Sequence, residues 1–554
     1  MKIGCVYTVE TYDSIERPFR APTEIPFGIA IILTVLQEAG HDVKLFVITP
    51  DTPLDEYLGK YIRKERPAMF CFTAVSTQYW QAKKVAQYVL ETDENIYCVL
   101  GGHHASLNSS PVIADGVFDA ICVGEGERAI VALAESLQRI KSGQHDSKDL
   151  WFRDFVTSEI HKNASAEFQV VAFPENLQRN KSGQLDLRNL WFRDRVTGEI
   201  HKNASAEFQG ELDSLPFINR RIWDKWIEQP DEYPSLLLGR GCPFKCTYCS
   251  NHAMAKLSEG SYVRFRSPEN IVGELKNISR EYPSVERVYL EVETFGANRK
   301  ASYAVFDALA EYNRSREKPL RFGINLALTS SFMDKPERVE ELLSKSRAAN
   351  ITTINVGLES GSERMRKEVL KRPKYTNDEL IKFCSVARKY DIKIIYFVLI
   401  GLPGETIEDY LETVRVARES QPYTCYVSIF FPYLGTDLAT QAIHMGLIQP
   451  ESLSPKGERS TARLSLEGFS SRRIRFEYIV FWWRVYRGHW PLPKVLANMA
   501  ASFLRGSPKL YSLYRHIRDQ SDFVMGLANR YGTAGRKTRR TPITVGTRVD
   551  VIRD

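Results

Sequence analysis

The chain has 554 residues, of which 43% are hydrophobic and 26% charged, a composition typical of soluble globular proteins. This length is too great for one hydrophobic core, so we expect two or three domains. The sequence contains no apolar run of about 18 residues, and residues 1–7 resemble a strand, so we predict neither a membrane-spanning helix nor a signal peptide. These features favour a cytoplasmic protein.

The net charge of +7 is unevenly distributed along the chain. From Pro455 onward there are 20 lysines and arginines against 7 acidic residues, so the rest of the chain is acidic, at about −6. A basic segment of this kind suits nucleic acid, anionic lipid or an acidic substrate.

Residues 1–140 alternate strand and helix patterns and predict a doubly wound (Rossmann-like) α/β domain. We predict strands at 2–7, 42–48, 68–73, 96–100 and 118–123, because each is a short apolar run typical of a parallel sheet covered on both faces. Helices are predicted at 26–39 and 77–92. Ligands of such sheets bind beyond the carboxyl ends of the strands.

Three predicted loops at that edge of the sheet are candidates for a cofactor site, although glycines in tight turns would explain any one of them. Glycine there allows a bulky ligand to approach the backbone. The candidate residues are Ser76 and Thr77; Gly101, Gly102 and His103, with His104 beside them; and Gly124, Glu125 and Gly126.

A duplicated segment follows, within a predicted linker of residues 141–233. Residues 137–169 and 177–209 are identical at 26 of 33 positions. Each copy predicts a strand, a turn and a strand, which is a small hairpin. Two copies are too few for a solenoid, so we interpret the second copy as a tandem duplication without a chemical role.

Strand and helix patterns alternate again over residues 234–450. The predicted strands are 235–239, 286–291, 321–327, 351–357, 392–400 and 425–431. Helix start signals stand at Ser267, Thr376 and Thr406, each followed by proline or acidic residues. Six βα units predict a parallel, barrel-like sheet, and in barrels of this kind the functional site lies at the carboxyl ends of the strands.

Three closely spaced thiols, Cys242, Cys246 and Cys249, follow the first predicted barrel strand. In a reducing compartment such a cluster indicates metal or redox chemistry. A structural zinc site needs four ligands, which His252 could complete, and an inert coincidence stays possible. An iron–sulfur cubane held by three thiolates instead leaves one iron open to a small molecule.

The Cys-x-x-x-Cys-x-x-Cys spacing, with Tyr248 between the last two cysteines, resembles the cluster loop of the radical S-adenosylmethionine (SAM) enzymes. The resemblance implies a [4Fe–4S] cluster on Cys242, Cys246 and Cys249, which act as metal ligands and catalytic residues. In that family SAM chelates the open iron and is cleaved by one electron to give a 5′-deoxyadenosyl radical.

The remaining barrel segments resemble the same family, and the resemblance implies a partial (β/α)₆ barrel and further contacts to SAM. These cofactor-binding candidates are Tyr248, Glu291, Glu293, Glu359, Ser360, Gly401 and Pro403. Relatives more often carry an Asp-Asp or Asp-Asn pair where this chain has Glu291 and Glu293. Residues 357–362 and 399–405 match the family closely.

The first domain, with Pro26-Phe27-Gly28 and its two glycine-rich loops, resembles the cobalamin-binding domain that precedes the radical barrel in one large class of these enzymes. The Asp-x-His-x-x-Gly pattern that supplies a cobalt ligand in other cobalamin proteins is absent. We therefore expect His103 to contact the loop or the corrin. A role for His103 as a cobalt ligand is the alternative.

Residues 451–554 form the basic, aromatic-rich and mainly helical C-terminal region. Mixed aromatic residues and arginines over 472–486 predict a helix packed on the barrel mouth. Contact with a membrane surface or an apolar substrate is the alternative. Residues 536–540 resemble a disordered basic tail.

The family resemblance implies a cobalamin-dependent methyltransferase that methylates an unactivated carbon of a secondary metabolite or lipid. The alternatives are a cyclase or rearrangement enzyme of the same family, or an iron–sulfur or zinc-stabilised binding protein. The expected partners are a small-molecule or lipid substrate and a flavodoxin- or ferredoxin-type reductase. No motif for specific nucleic-acid recognition is present.

Overall fold

In the computed structural model the chain forms two compact units, residues 1–230 with 253–266 and residues 231–252 with 267–554. The structure describes residues 1–10, 12, 14–141, 187–449, 453, 458–506 and 510. None of the helices described in these ranges is long and apolar enough to cross a membrane.

The first unit is built on a seven-stranded sheet with the order β2-β1-β3-β4-β5-β6-β7. Its strands are β1 (Lys2–Thr8), β2 (Asp42–Ile48), β3 (Met69–Thr73), β4 (Tyr97–Gly101), β5 (Ala120–Cys122), β6 (Leu190–Arg193) and β7 (Ile200–Lys202). The first five pair in parallel, with β1 between β2 and β3. This 2-1-3-4-5 order confirms the doubly wound prediction and reverses direction between β1 and β3, where such sheets bind ligands.

Both faces of this sheet are buried. Along β1, Ile3, Cys5 and Tyr7 belong to one apolar core, whereas Val6 belongs to the core on the opposite face. This alternation follows from the two-residue period of a strand. The helices that cover the faces are Phe27–Glu38, Lys60–Glu65, Tyr79–Thr92, His103–Leu107, Ser109–Ala114 and Glu127–Lys141.

The second copy of the duplicated segment forms the predicted hairpin, but the hairpin belongs to the sheet and is not a free linker. β6 pairs antiparallel with β5, through Ala120 and Phe192, and β7 pairs antiparallel with β6. Phe192 is fully buried, so the hairpin extends the core as well as the sheet. Of the first copy, residues 142–169 lie outside the described residues.

The second unit contains six parallel strands in consecutive order, which confirms the predicted partial barrel. They are β8 (Ser235–Leu237), β9 (Arg287–Phe295), β10 (Arg321–Leu326), β11 (Ile351–Glu359), β12 (Lys393–Ile400) and β13 (Thr424–Ile429). The main helices are Pro268–Glu281, Arg299–Arg314, Pro336–Ala348, Asn377–Lys389, Ile407–Ser420 and Asp437–His444. β8 and β13 form the two edges of the sheet.

The predicted helix starts carry the expected caps. The Ser267 side chain accepts a hydrogen bond from the backbone of Asn270. Thr376 and Thr406 form capping boxes with Glu379 and Asp409, respectively. Each cap satisfies backbone N–H groups that have no partner within the helix.

The C-terminal region adds the helices Ser471–Tyr486 and Leu492–Arg505 to the second unit. The first of these contacts the predicted barrel mouth only at its start, where a Cβ on Gly401 would lie 3.1 Å from Ile474, and then runs along the side of the barrel. Tyr486 Oη lies 3.2 Å from the Sγ of Cys425 in the edge strand β13, and Tyr410 Oη donates to the carbonyl of Glu477 over 3.1 Å. An exposed strand edge is open to pairing with other chains, and this helix covers it.

We predict that Gly361→Ala destabilises the second unit by about 2–3 kcal/mol, because overpacking that cannot relax has this magnitude. A Cβ at Gly361 would lie 2.4 Å from the backbone Cα of Thr413, in the helix Ile407–Ser420. Denaturant unfolding of the purified variant measures the effect.

Gly28→Ala is the matched control. A Cβ at Gly28 meets no atom within 4 Å in the helix Phe27–Glu38, so this change should be neutral or stabilising by up to about 1 kcal/mol. Equal stability of the wild type and Gly361→Ala would show that the close packing described above is wrong.

Candidate cofactor sites

The three-cysteine loop begins at the carboxyl end of β8, as predicted. The Leu238 amide donates to the carbonyl of Glu291 over 2.9 Å, and Gly241, with φ of 86°, then turns the chain into the loop. Cys246 is buried, with 6% exposure, whereas Cys242 and Cys249 are partly exposed. The loop therefore has two accessible thiols and one that is covered by protein.

Thr247 anchors this loop to the rest of the barrel. Its hydroxyl donates to the carbonyl of Val369 over 2.7 Å, and its amide donates to Leu370 over 3.2 Å. Its carbonyl accepts from the amide of Leu438 over 2.8 Å. Three backbone contacts through one residue hold the neighbouring Cys246 in place.

Burial raises the pKa of the Cys242 thiol to about 12 and also raises the pKa of Cys246, while Arg372 lowers both to a lesser degree. Both groups are thus neutral thiols without a metal. A bound metal deprotonates a coordinating thiol outright, so loading this loop releases protons.

The geometry gives little support to the zinc alternative. His252, the candidate fourth ligand, has its Nε2 atom 3.3 Å from a carboxylate oxygen of Asp437. Across the part of the chain that the structure describes, no group of three or more His, Cys, Asp or Glu side chains is gathered as a single metal ion requires. A cubane binds its thiolates on separate iron atoms, so the donor set of this loop fits an iron–sulfur cluster.

Arg372, which the sequence analysis did not single out, connects the loop to the barrel strands. Its guanidinium donates to Tyr248 Oη over 2.6 Å and to the carbonyl of Gly357 over 2.6 Å, and lies 3.7 Å from a carboxylate oxygen of Glu359. Its Nε–H group is buried and has no hydrogen-bond partner among the described residues. Beside Cys246, this cation and free donor suit an anionic cluster.

Glu359 ends β11 in a left-handed conformation, with φ of 57°. A non-glycine residue adopts this conformation at an energetic cost, and such residues concentrate at functional sites. The side chain is buried, at 8% exposure, and its carboxylate faces Arg372. The conformation thus directs the carboxylate toward the cysteine loop, on the side where SAM contacts were predicted.

The other predicted residue of this segment, Ser360, is fully buried and its hydroxyl lies 3.4 Å from the Thr413 hydroxyl. Its carbonyl accepts from Arg366 over 2.8 Å. These contacts hold the segment against the helix Ile407–Ser420. Ser360, which was predicted to contact the cofactor, therefore has its hydroxyl and its carbonyl close to other protein groups.

Glu291 and Glu293 lie within β9 rather than after it, because the strand continues to Phe295. Pairing with β10 is irregular between Leu290 and Phe295, and Glu293 is exposed. Both residues nevertheless lie in the carboxyl half of the strand. Glu291 pairs with Leu237, the last residue of β8, and the cysteine loop follows that strand.

Gly401 and Pro403 form a buried turn after β12, and Glu405 shapes that turn. The Glu405 carboxylate accepts from the amide of Gly401 over 2.6 Å and from that of Leu402 over 3.2 Å. Burial raises the pKa of Glu405 to about 8, although the two amides act in the opposite direction. Gly401 has a φ of 81°, which only glycine adopts without strain.

The interior of the barrel holds polar and aromatic side chains that the sequence analysis also missed. The Tyr289 hydroxyl donates to Asn325 over 2.5 Å and accepts from Asn355 over 2.9 Å. Nearer the carboxyl ends of the strands, the rings of Phe397 and Tyr426 stack with centroids 5.6 Å apart. Alternation along the strands would have suggested these residues, since each faces away from the covering helices.

In the first unit, Ser76 and Thr77 follow β3, whereas Gly101 is the last residue of β4 and Gly102 and His103 follow it. Gly102 adopts φ of 89°, and a Cβ there would lie 2.6 Å from the Thr73 hydroxyl. These loops therefore meet at the carboxyl edge of the sheet, as predicted, and the glycine serves close packing of the two strand ends.

Of the two histidines, His104 is held within the unit. Its ring lies 4.4 Å from that of Tyr79, and its Nδ1 atom lies 3.3 Å from the Ser76 hydroxyl. Burial lowers the pKa of His104 to about 4, so the ring is neutral at physiological pH. His103 is half-buried at the start of the helix His103–Leu107.

Gly124, with φ of 94°, and Gly126 follow β5 as predicted, but Glu125 between them binds protein groups. Its carboxylate accepts two hydrogen bonds from Arg264, over 2.8 and 3.0 Å, and one from the Gln209 amide over 2.8 Å. The predicted cofactor contact of Glu125 thus falls on a residue whose carboxylate fixes the loop.

Two family models match the chain, one for each unit. The B12 binding domain matches residues 20–134, and the Radical SAM superfamily matches residues 236–417. The chain belongs to the cobalamin-dependent radical SAM enzymes. Members of this family use SAM, a [4Fe–4S] cluster and cobalamin, so all three are cofactors of this enzyme.

Two relatives match most of the chain. An uncharacterized methyltransferase of Pyrococcus horikoshii is 23% identical over 85% of this chain and 89% of its own length. The anaerobic magnesium-protoporphyrin IX monomethyl ester cyclase of Cereibacter sphaeroides is 26% identical over 74% of this chain, which spans 59% of the cyclase.

Among solved structures, the fold is similar to that of the radical SAM methyltransferase TsrM from Kitasatospora setae, with cobalamin and a [4Fe–4S] cluster bound. The TM-score is 0.56 at 15% identity, covering 81% of this chain and 79% of TsrM. This likeness supports the fold of the cobalamin-dependent radical SAM enzyme described here.

We predict that Arg372→Gln weakens cluster retention by about tenfold, the scale found when groups that orient metal ligands are removed. The change removes the hydrogen bonds to Tyr248 and Gly357 as well as the positive charge beside Cys246. Iron and sulfide per chain after anaerobic reconstitution and desalting measure the effect.

Arg415→Gln is the matched control, because Arg415 forms ion pairs only with Glu412 and Glu419 among the described residues. It should retain the wild-type iron content. A fully loaded Arg372→Gln protein would show that Arg372 is not needed to hold the loop.

Proposed function

We propose that this enzyme transfers a methyl group to an unactivated carbon of an organic or lipid substrate. The observation that carries the proposal is the presence, in one chain, of a three-thiol loop on the first barrel strand and a 2-1-3-4-5 sheet domain that matches the B12 binding domain. Relatives named as methyltransferases support it.

In this proposal Cys242, Cys246 and Cys249 hold the [4Fe–4S] cluster, while Arg372 orients the loop. When bound, the cluster and SAM supply a carbon-centred radical and cobalamin supplies the methyl group. The residues of the chain bind and orient the cofactors and the substrate, and they exclude water from the site. We assign to Glu359 a hydrogen bond from the SAM ammonium, and to the turn at Gly401 and Pro403 the backbone contact with the adenine.

For cobalamin, the proposed contacts are the loops at the carboxyl edge of the first sheet. The half-exposed residues there are Ser76, Gly101, Gly102, His103, Gly124 and Gly126, with Thr77 buried beneath them. His104 is not proposed as a cobalt ligand, because its ring packs on Tyr79 and its Nδ1 atom lies near Ser76.

The barrel interior supports a substrate with an apolar body and a few polar groups. The stacked rings of Phe397 and Tyr426 present apolar surface, and the buried Oδ1 atom of Asn355 has no hydrogen-bond partner among the described residues, so it can accept one from a substrate. Pockets of mainly apolar lining with a few placed polar groups bind small molecules in this way.

The proposed partners are this substrate and a flavodoxin- or ferredoxin-type reductase that supplies the electron for SAM cleavage. Such a low-potential donor fits a cytoplasmic location, which we propose with it. No specific nucleic-acid partner is proposed.

We predict that Cys246→Ala abolishes formation of 5′-deoxyadenosine from SAM under reducing conditions, because the cluster loses one of its three thiolates. Cys384→Ala is the matched control: Cys384 is also buried, but it contacts Tyr396 on the outer face of β12. The control should retain the wild-type rate. Wild-type turnover by Cys246→Ala would refute the site assignment.

A second test separates methylation from the cyclase chemistry that the 26% identical relative suggests. A deletion strain and its parent are grown with methyl-deuterated methionine, and their metabolites are compared by mass spectrometry. We expect a product that is absent from the deletion strain and carries the labelled methyl group. A parent-specific product without label would instead support ring closure or rearrangement.

A further inference from the structure

The helix Leu492–Arg505 buries two polar residues beside one apolar residue and leaves its large apolar side chains exposed. Its buried residues are Val495, Asn498 and Ser502, and the Ser502 hydroxyl accepts from the indole N–H of Trp482 over 2.9 Å. The large apolar residues Leu492 and Phe503 are 55% and 47% exposed. Surface helices ordinarily show the opposite arrangement.

The exposed apolar residues of this helix lie on one stripe. Leu492, Leu496 and Phe503 are separated by four and seven residues, and the stripe therefore extends over about 16 Å. Leu496 is 48% exposed, so the stripe is uncovered along its length.

The preceding helix, Ser471–Tyr486, exposes a second pair of aromatic residues. Phe476 is 50% exposed and Trp483, two turns later, is 38% exposed. Arginines lie near both, with Arg473 5.5 Å from the Phe476 ring centroid and Arg487 5.9 Å from that of Trp483. We name Phe476, Trp483, Leu492, Leu496 and Phe503 together the exposed apolar face.

The two helices that carry the exposed apolar face are rich in positive charge. Residues 471–505 contain seven lysines and arginines but a single carboxylate, Glu477. Glu477 is fully buried and paired with Arg473 and Arg484, so it presents no negative charge to a partner. Beyond the described helices, residues 507–554 add ten further basic residues against four acidic ones.

We propose that the exposed apolar face docks onto an anionic lipid surface. Apolar and aromatic side chains beside lysine and arginine are the composition of helices that lie in the membrane interface. A second copy of the chain is disfavoured as the occupant, because an isologous contact would bring the same cations against one another. Docking goes beyond the proposed methyl transfer and does not depend on it.

The test uses the full-length protein with its cofactors and sedimentation with lipid vesicles at physiological ionic strength. One set of vesicles contains phosphatidylglycerol mixed with phosphatidylcholine, and the other contains phosphatidylcholine alone. We expect clear binding to the anionic set and weak binding to the neutral set. Equal binding to both sets, or to neither, would overturn the proposal.

The variant Leu496→Ser/Phe503→Ser should bind the anionic vesicles at least about tenfold more weakly, since two large apolar side chains no longer enter the interface. Leu411→Ser is the matched control, because Leu411 is 40% exposed on another helix, Ile407–Ser420. It should bind as the wild type does. Thermal unfolding of both variants confirms that they are folded.

Two further outcomes bear on the occupant. If the double variant binds vesicles like the wild type, the exposed apolar face is not the docking surface. If the wild type is a dimer that the double variant abolishes, and neither binds vesicles, the occupant is a second copy and the proposal is wrong. The double variant should still form 5′-deoxyadenosine in solution. A loss of vesicle binding would then concern docking alone and not the methyl-transfer proposal.

Discussion

The barrel site depends on one buried guanidinium. Arg372 lies 126 residues after Cys246 in the chain, yet it joins the cysteine loop, through Tyr248, to the ends of β11, through Gly357 and Glu359. A buried cation is costly unless it is paired and hydrogen-bonded. Here the pairing comes from Glu359 and two hydrogen bonds, and the buried Nε–H group has no partner among the described residues, so an anionic cluster held by the neighbouring Cys246 would complete it.

Local sequence signals were sufficient to predict the strands and helices of both units, because strands and helix caps are encoded over a few residues. The predicted strand at 351–357 is Ile351–Glu359, and the predicted cap at Thr376 forms its capping box. Arg372 was not predicted, since its partners come together only through the tertiary fold. For the same reason Glu125 was predicted to bind a cofactor, whereas its carboxylate binds Arg264, 139 residues away.

The barrel strands show how adjacent residues serve different purposes. Tyr396 and Cys425 face outward, where they contact Cys384 and Tyr486 of the covering helices. Their neighbours Phe397 and Tyr426 face the interior and stack on each other. Because a strand alternates at every residue, the same short segment stabilises the barrel on one face and shapes the candidate substrate pocket on the other.

The C-terminal helices cover one edge of the barrel but expose apolar side chains of their own. The helix Ser471–Tyr486 covers the edge strand β13, so the partial barrel does not expose unpaired strand groups on that side. The helix that packs on it, Leu492–Arg505, buries a valine, an asparagine and a serine and leaves leucine and phenylalanine outside. Burying those side chains elsewhere would be favourable by roughly 1.5–3 kcal/mol each. A helix that keeps them at the surface, with Lys494 and Arg505 as its only charged residues, therefore has the composition of an interface rather than of a core element.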